Sequence, residues 1–230
     1  MLYEVLFRKH RTVILRLLAI ALCAIPLTGW TSAAQAQNQQ LFWLNQQTGD
    51  AVAWYMRGPN WTSRYDVLDH NIPLQWQIVA NGDFKGDGTR TFIWQNLQTG
   101  DVAYWIMNGN VRIATDYVAR NIPLEWKIVG AGDFNGDGKP DLVWQNTKTG
   151  DAVAWFMNGI VFTGNYAFVA HAVPTRWTIA AVADMNGDGW PDLIFQDPQT
   201  GDVVYWLMSG TNYLTGDYVI RNIPSVRLED

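Results

Sequence analysis

One unit of 50 or 51 residues, written four times, constrains this chain more than any other feature. Gly-Asp recurs at Gly49-Asp50, Gly100-Asp101, Gly150-Asp151 and Gly201-Asp202. Four residues after each Asp stands a tryptophan: Trp54, Trp105, Trp155 and Trp206. Two further on stands Met56, Met107, Met157 or Met208. Seven before each Asp stands Trp43, Trp94, Trp144 or Phe195, and Pro73, Pro123, Pro174 and Pro224 close the copies. Columns held in register over four copies mark a repeat architecture, in which each unit buries its apolar face against the next.

Each unit reads as short strands. Residues 142–146 form one, a turn at 147–150 follows, and 152–157 form the next. Asn158-Gly159 is a strong hairpin signal, and 160–169 form a third strand. Residues 127–131, led by Trp126, open the unit. Four strands per repeat, without helical periodicity, predict an all-β chain folded as a β-propeller of about four blades. The blades are expected over 41–75, 76–125, 126–176 and 177–224, with the tryptophan columns packed between them. The first copy starts at its second strand, 41–45, and residues 225–230 fall where another opening strand belongs. The tail is therefore expected to pair beside 41–45 and cover a ladder edge carrying Leu41, Phe42 and Trp43. Arg227 stands in that tail where Trp76, Trp126 and Trp177 lead the other copies, so assembly of two chains into a larger ring is the alternative.

The first 36 residues read as a secretory signal peptide. Arg8, Lys9, Arg11 and Arg16 precede an apolar run over 17–27, and Ala34-Gln35-Ala36 is a small-x-small cleavage site. The run falls short of the roughly 20 residues that a membrane span requires. Cleavage would leave 194 residues with a net charge of −8 and remove Cys23, the only cysteine. A secreted or periplasmic protein without disulfides is expected, stabilised by burial and bound metal. An acidic chain without a basic stripe argues against nucleic-acid partners.

Carboxylates crowd the loop between the first and second strands of the later copies. Asp133, Asn135, Asp137 and Asp141 place oxygen donors at loop positions 1, 3, 5 and 9, and the Lys139 carbonyl is available at position 7. Asp184, Asn186, Asp188, the Trp190 carbonyl and Asp192 repeat the set. Hard oxygen donors at this spacing suit Ca²⁺, although Trp144 stands where an EF-hand would place its bidentate Glu. Without a cation, three carboxylates in nine residues repel one another. The copy at Asp83 and Asp87 is degraded: Lys85 replaces the Asn and Thr91 the last Asp, so a weak or empty loop is expected there.

The stretch GDFNGDGKPDLVWQN, residues 132–146, resembles an FG-GAP/VCBS-type repeat, the unit of the integrin α-subunit propeller and of a fungal lectin propeller. The resemblance spans essentially all of the chain after residue 36. It implies a β-propeller with calcium in the loops at Asp133, Asn135, Asp137, Lys139 and Asp141, and at Asp184, Asn186, Asp188, Trp190 and Asp192. Family propellers commonly have seven blades, against four copies here.

Catalysis needs unlike residues brought together once, not a column repeated per blade. His70 and His171 share a column with Arg120 and Arg221 before the repeat proline, which reads as turn bonding, and no nucleophile elbow or zinc spacing occurs. A non-enzymatic binding module for carbohydrate is the leading expectation, with Trp61, Tyr104, Trp190 and Tyr205 as candidate contacts. A protein–protein adhesion scaffold is the alternative, ahead of a polysaccharide-active enzyme or accessory domain.

Overall fold

A computed structural model describes residues 39–58 and 60–221. The expected signal peptide, with Cys23, and the tail 225–230 lie outside the described residues. Fifteen strands are described. The first sheet comprises β1 (Gln39–Leu44), β2 (Ala51–Arg57) and β3 (Asn60–Asp69). The second comprises β4 (Trp76–Gly82), β5 (Arg90–Asn96), β6 (Val102–Asn108) and β7 (Val111–Ala119). The third holds β8 (Trp126–Gly132), β9 (Asp141–Asn146), β10 (Ala152–Asn158) and β11 (Val161–Ala170). The fourth holds β12 (Thr178–Ala183), β13 (Asp192–Gln196), β14 (Val203–Ser209) and β15 (Asn212–Ile220). Each sheet is an antiparallel meander in chain order, and the four sheets form a four-blade β-propeller arrangement.

Turn chemistry fixes the strand ends. The Oδ1 atoms of Asn96 and Asn146 accept the amides two and three residues on, closing the β5–β6 and β9–β10 turns at 2.8–3.1 Å. Gly100, at φ 75°, completes its turn and meets the repeat proline's segment: a Cβ there would fall 1.8 Å from the Ile122 carbonyl oxygen. Ile122 N–H in turn donates to the Gly100 carbonyl at 3.2 Å. A bulge recurs at one place in three blades, at Ile78/Ala80, Ile128/Gly130 and Ile179/Ala181.

Register carries the aromatic columns into the joints between blades. Trp94 pairs with Ala103, Trp144 with Val153 and Phe195 with Val204. Three core clusters result, one at each joint between consecutive blades. Ala51 and Ile72 meet Phe92, Trp94 and Met107 at the first. Ala80, Ile93 and Val102 meet Leu142, Trp144 and Met157 at the second. Val143, Ala152 and Val169 meet Leu193, Phe195 and Met208 at the third. Complete burial of each such Leu, Phe or Met contributes about 1.5–3 kcal/mol. The opening strand β8 neighbours both β4 and β12, so β7, β11 and β15 lie at the outer edges of their sheets, and β3 is the matching edge strand of the first.

Candidate functional site

The loops between opening and second strands are built on their first Asp. Asp133 Oδ1 accepts the amides of Gly136 at 2.7 Å and Asp137 at 3.1 Å, and its Oδ2 accepts that of Gly138 at 2.7 Å. Asn135 Oδ1 accepts the Asp137 amide, and Asp137 Oδ1 the Lys139 amide, both at 2.9 Å. Gly138, at φ 83°, permits the turn that wraps this chain around one carboxylate. The loop at Asp184 reproduces the pattern, with Gly187 and Gly189 donating to Asp184, Asp188 to Asn186, and Trp190 to Asp188.

The ninth position has a role that spacing did not reveal. Asp141 is fully buried, and its carboxylate accepts the amides of Phe134 at 3.0 Å and Met157 at 2.9 Å. It thereby ties the loop to β10. Asp192 does the same with Met185 at 2.7 Å and Met208 at 2.9 Å. Burial pushes the Asp141 carboxyl up to about 6, and the charges of Asp133 and Asp137 act in the same direction, against the two amides.

The donor set fits a hard cation. The field of Asp133 and Asp137 reaches Asp141, while the Lys139 ammonium is drawn away to Asn158 Oδ1 at 2.6 Å. Carboxylate, carboxamide and main-chain oxygens are the ligands that Ca²⁺ takes. Among the described residues no three His, Cys, Asp or Glu side chains gather closely enough to hold an ion by themselves, so Asn135 and main-chain oxygen belong to any such set. The loop at Asp83 differs. Lys85 Nζ lies 2.6 Å from Asp87 Oδ2, and this ammonium, followed by the Thr89 hydroxyl and amide, holds the Asp87 carboxyl down at about 2. Thr91, in place of Asp141, is buried with its hydroxyl unpartnered.

The four aromatic candidates do not converge. Trp61 lies on β3 of the first blade, Tyr104 on β6 of the second and Tyr205 on β14 of the fourth. Trp61 is exposed, its indole donating to the Arg64 carbonyl at 3.1 Å. Tyr104 packs against the second core cluster, and Tyr205 is half-buried. The half-buried Trp190 ring lies against Gly136 of the preceding loop and Gly210. Exposed rings lie elsewhere, on the outermost strands: Tyr65 on β3, Tyr117 on β7, Tyr166 and Phe168 on β11, and Tyr213 and Tyr218 on β15.

The column before the proline is spent on turns and rings. His70 Nδ1 lies 2.9 Å from Asp50 Oδ1. The Thr48 hydroxyl, then His70, hold the Asp50 carboxyl below its ordinary range. Arg120 and Arg221 lie 3.7 Å over the rings of Tyr117 and Tyr218, and His171 stacks on Phe168 at 4.2 Å.

Two comparisons with known proteins return a match. The FG-GAP-like repeat family matches residues 83–144 and 133–195. A chain from a structure described as "Crystal structure of Nidogen/Laminin Complex" is 15% identical, with a TM-score of 0.48. The match covers 77% of this chain and 58% of that one. No curated protein matches the chain. No helix among the described residues is long and apolar enough to cross a membrane.

Proposed function

We propose that this chain, which carries FG-GAP-like repeats over residues 83–195, is a calcium-stabilised propeller that acts outside the cytoplasm as a carbohydrate-binding module, without catalytic activity. The observation that carries this reading is the aromatic dress of the outermost strands, where every blade presents an exposed Tyr, Trp or Phe to solvent. Such rings offer an apolar face to the C–H surface of a sugar and, in Tyr and Trp, a polar edge to its hydroxyls. Two loops built around Asp133 and Asp184 supply the calcium ligands, and Lys85 substitutes its own charge in the third.

An adhesion scaffold is the second reading, because Val111, Ile113, Val161 and Leu214 are exposed on the same outer strands. A panel of immobilised glycans, probed with the purified protein in calcium buffer, separates the two. Retention on a defined subset supports the carbohydrate reading. No retention on any glycan, with a stable complex formed with an extracellular protein, supports the scaffold.

A further inference from the structure

We propose that two copies of this chain pair head to tail, the free face of the fourth blade of each seated on the free face of the first blade of the other, to complete one ring of blades. Each joint within the chain sets an outgoing face of one blade against an incoming face of the next. At the third joint Val143, Ala152 and Val169 are outgoing, and Leu193, Phe195 and Met208 are incoming. Among the described residues no core cluster joins the fourth blade to the first. One outgoing and one incoming face are therefore left without a counterpart.

Both free faces carry the residue types of a joint. By strand register, Ile194, Val203 and Val219 of the fourth blade repeat Val143, Ala152 and Val169 of the third. Those three are buried at the third joint, whereas Ile194 and Val203 are half-buried and Val219 is 52% exposed. On the first blade Leu41 and Trp43 repeat Leu193 and Phe195. Leu193 and Phe195 are fully buried, but Leu41 and Trp43 are only half-buried. Open apolar faces of this kind mark an interaction surface. A second copy is the fitting occupant, because three joints of this chain already show what an outgoing face seats. Both faces stay open in the folded chain, which favours a second copy over closure at four blades.

One pair of positions sets the alignment of the new joint. Arg112, on β7, donates to Asp69 Oδ2, on β3, at 2.8 Å across the first joint. Asp69 pairs in its sheet with Ala51, as Ile220 does with the equivalent Val203. Arg112 pairs with Met107, as Trp61 does with the equivalent Met56. Repeating the first joint therefore brings Ile220 of one copy onto Trp61 of the other. The two are 47% and 39% exposed in the single chain. Where the first joint has an ion pair, the joint between copies sets apolar against apolar. Because the two faces differ, the contact is heterologous and must close to avoid an open filament. Two copies supply eight blades, within the roughly four to eight that propellers take.

Sedimentation velocity of the purified protein in calcium buffer tests this. One species of twice the chain mass is expected. Ile220→Asp and Trp61→Arg, both at exposed positions, are each expected to weaken the pairing about tenfold or more, since each sets an unpaired charge against an apolar side chain. Mixing the two variants in equal amounts is expected to restore the pair. One joint then sets Ile220 against Trp61 as in wild type, and the other rebuilds the Asp69–Arg112 ion pair. A face that paired with its own copy would give no such recovery. Wild-type protein that stays a single chain at every concentration overturns the proposal in favour of closure at four blades. Growth without limit overturns the closed ring. A pair that neither substitution weakens, or that mixing does not restore, overturns the assigned faces.

Discussion

Lys85 Nζ stands 2.6 Å from Asp87 Oδ2 in a loop whose two sister loops carry Asn135 and Asn186 at the lysine's position. A covalently attached cation meets the Asp87 carboxylate there, whereas Asn135 and Asn186 bring no charge to the same position. The chain thus holds two versions of one loop, one with its own ammonium at that position and one without.

That contrast can be reversed. Lys85→Asn combined with Thr91→Asp restores the donor set of the loop at Asp133, with the introduced carboxylate placed to accept the Phe84 and Met107 amides. Calorimetric titration should then count three calcium ions, against the two expected for wild type. Asp137→Ala and Asp188→Ala should each remove one, and Asp87→Ala none. An unchanged count in the double variant would mean that Lys85 and Thr91 are not what blocks the loop.

Asp141→Ala should destabilise the fold with or without calcium. It strands the buried amides of Phe134 and Met157, at about 1–3 kcal/mol each. Asp137→Ala loses only the exposed bond from the Lys139 amide, so in EGTA it should cost much less than Asp141→Ala, and more when calcium is present. Urea unfolding in EGTA distinguishes them, and equal midpoints for the two variants would refute the role assigned to Asp141.

Stability in EGTA should fall as pH rises from about 4 to about 6. The Asp141 carboxyl titrates near 6 in the folded protein and near the ordinary value of about 3.9 when unfolded. Between those values the folded state holds more protons, so raising pH favours unfolding. Saturating calcium, which compensates the ionised carboxylates, should remove this loss. Melting temperatures across that window in both buffers check the sign; a rise with pH in EGTA that Asp141→Asn leaves unaltered would contradict it.

Gly100→Ala should destabilise far more than Gly109→Ala. Both glycines have positive φ, at 75° and 59°, costing an L-residue about 1–2 kcal/mol. Only at Gly100 would the new Cβ strike backbone, the Ile122 carbonyl oxygen; around Gly109 the space is open. Similar melting temperatures for the two variants would show that the joint between the Gly-Asp and Ile-Pro segments is soft.

The strand plan was legible because turn residues fix it. Asn158-Gly159 and the turn at Gly150 bound β10, and the opening strand led by Trp126 is β8. Less legible was why Gly-Asp and Ile-Pro recur together. They read as separate columns, yet Gly100 abuts Ile122 and Asp101 Oδ1 accepts the Asn121 amide at 3.0 Å, so they are two halves of one joint. Spacing marked Asp141 as an oxygen donor, but not its bond to Met157, which lies 16 residues on and on another strand. Tyr104 and Tyr205 stood out by repetition, but they lie on third strands, inside the blade edge. Exposure belongs to the outermost strand, and recognising Tyr117 or Tyr166 there requires knowing which strand that is. The Arg112–Asp69 pair joins two blades, and nothing local in the sequence announces it.

The central claim, that the loops at Asp133 and Asp184 hold calcium on a folded propeller, is tested most directly by the melting temperature of the protein in calcium and in EGTA. An ion bound only by the folded state stabilises it by mass action, so calcium at about 100 times its Kd on both sites should raise the melting temperature by about 10 °C or more. The Asp137→Ala/Asp188→Ala double variant should lose that response. The same melting temperature in both buffers would contradict the account.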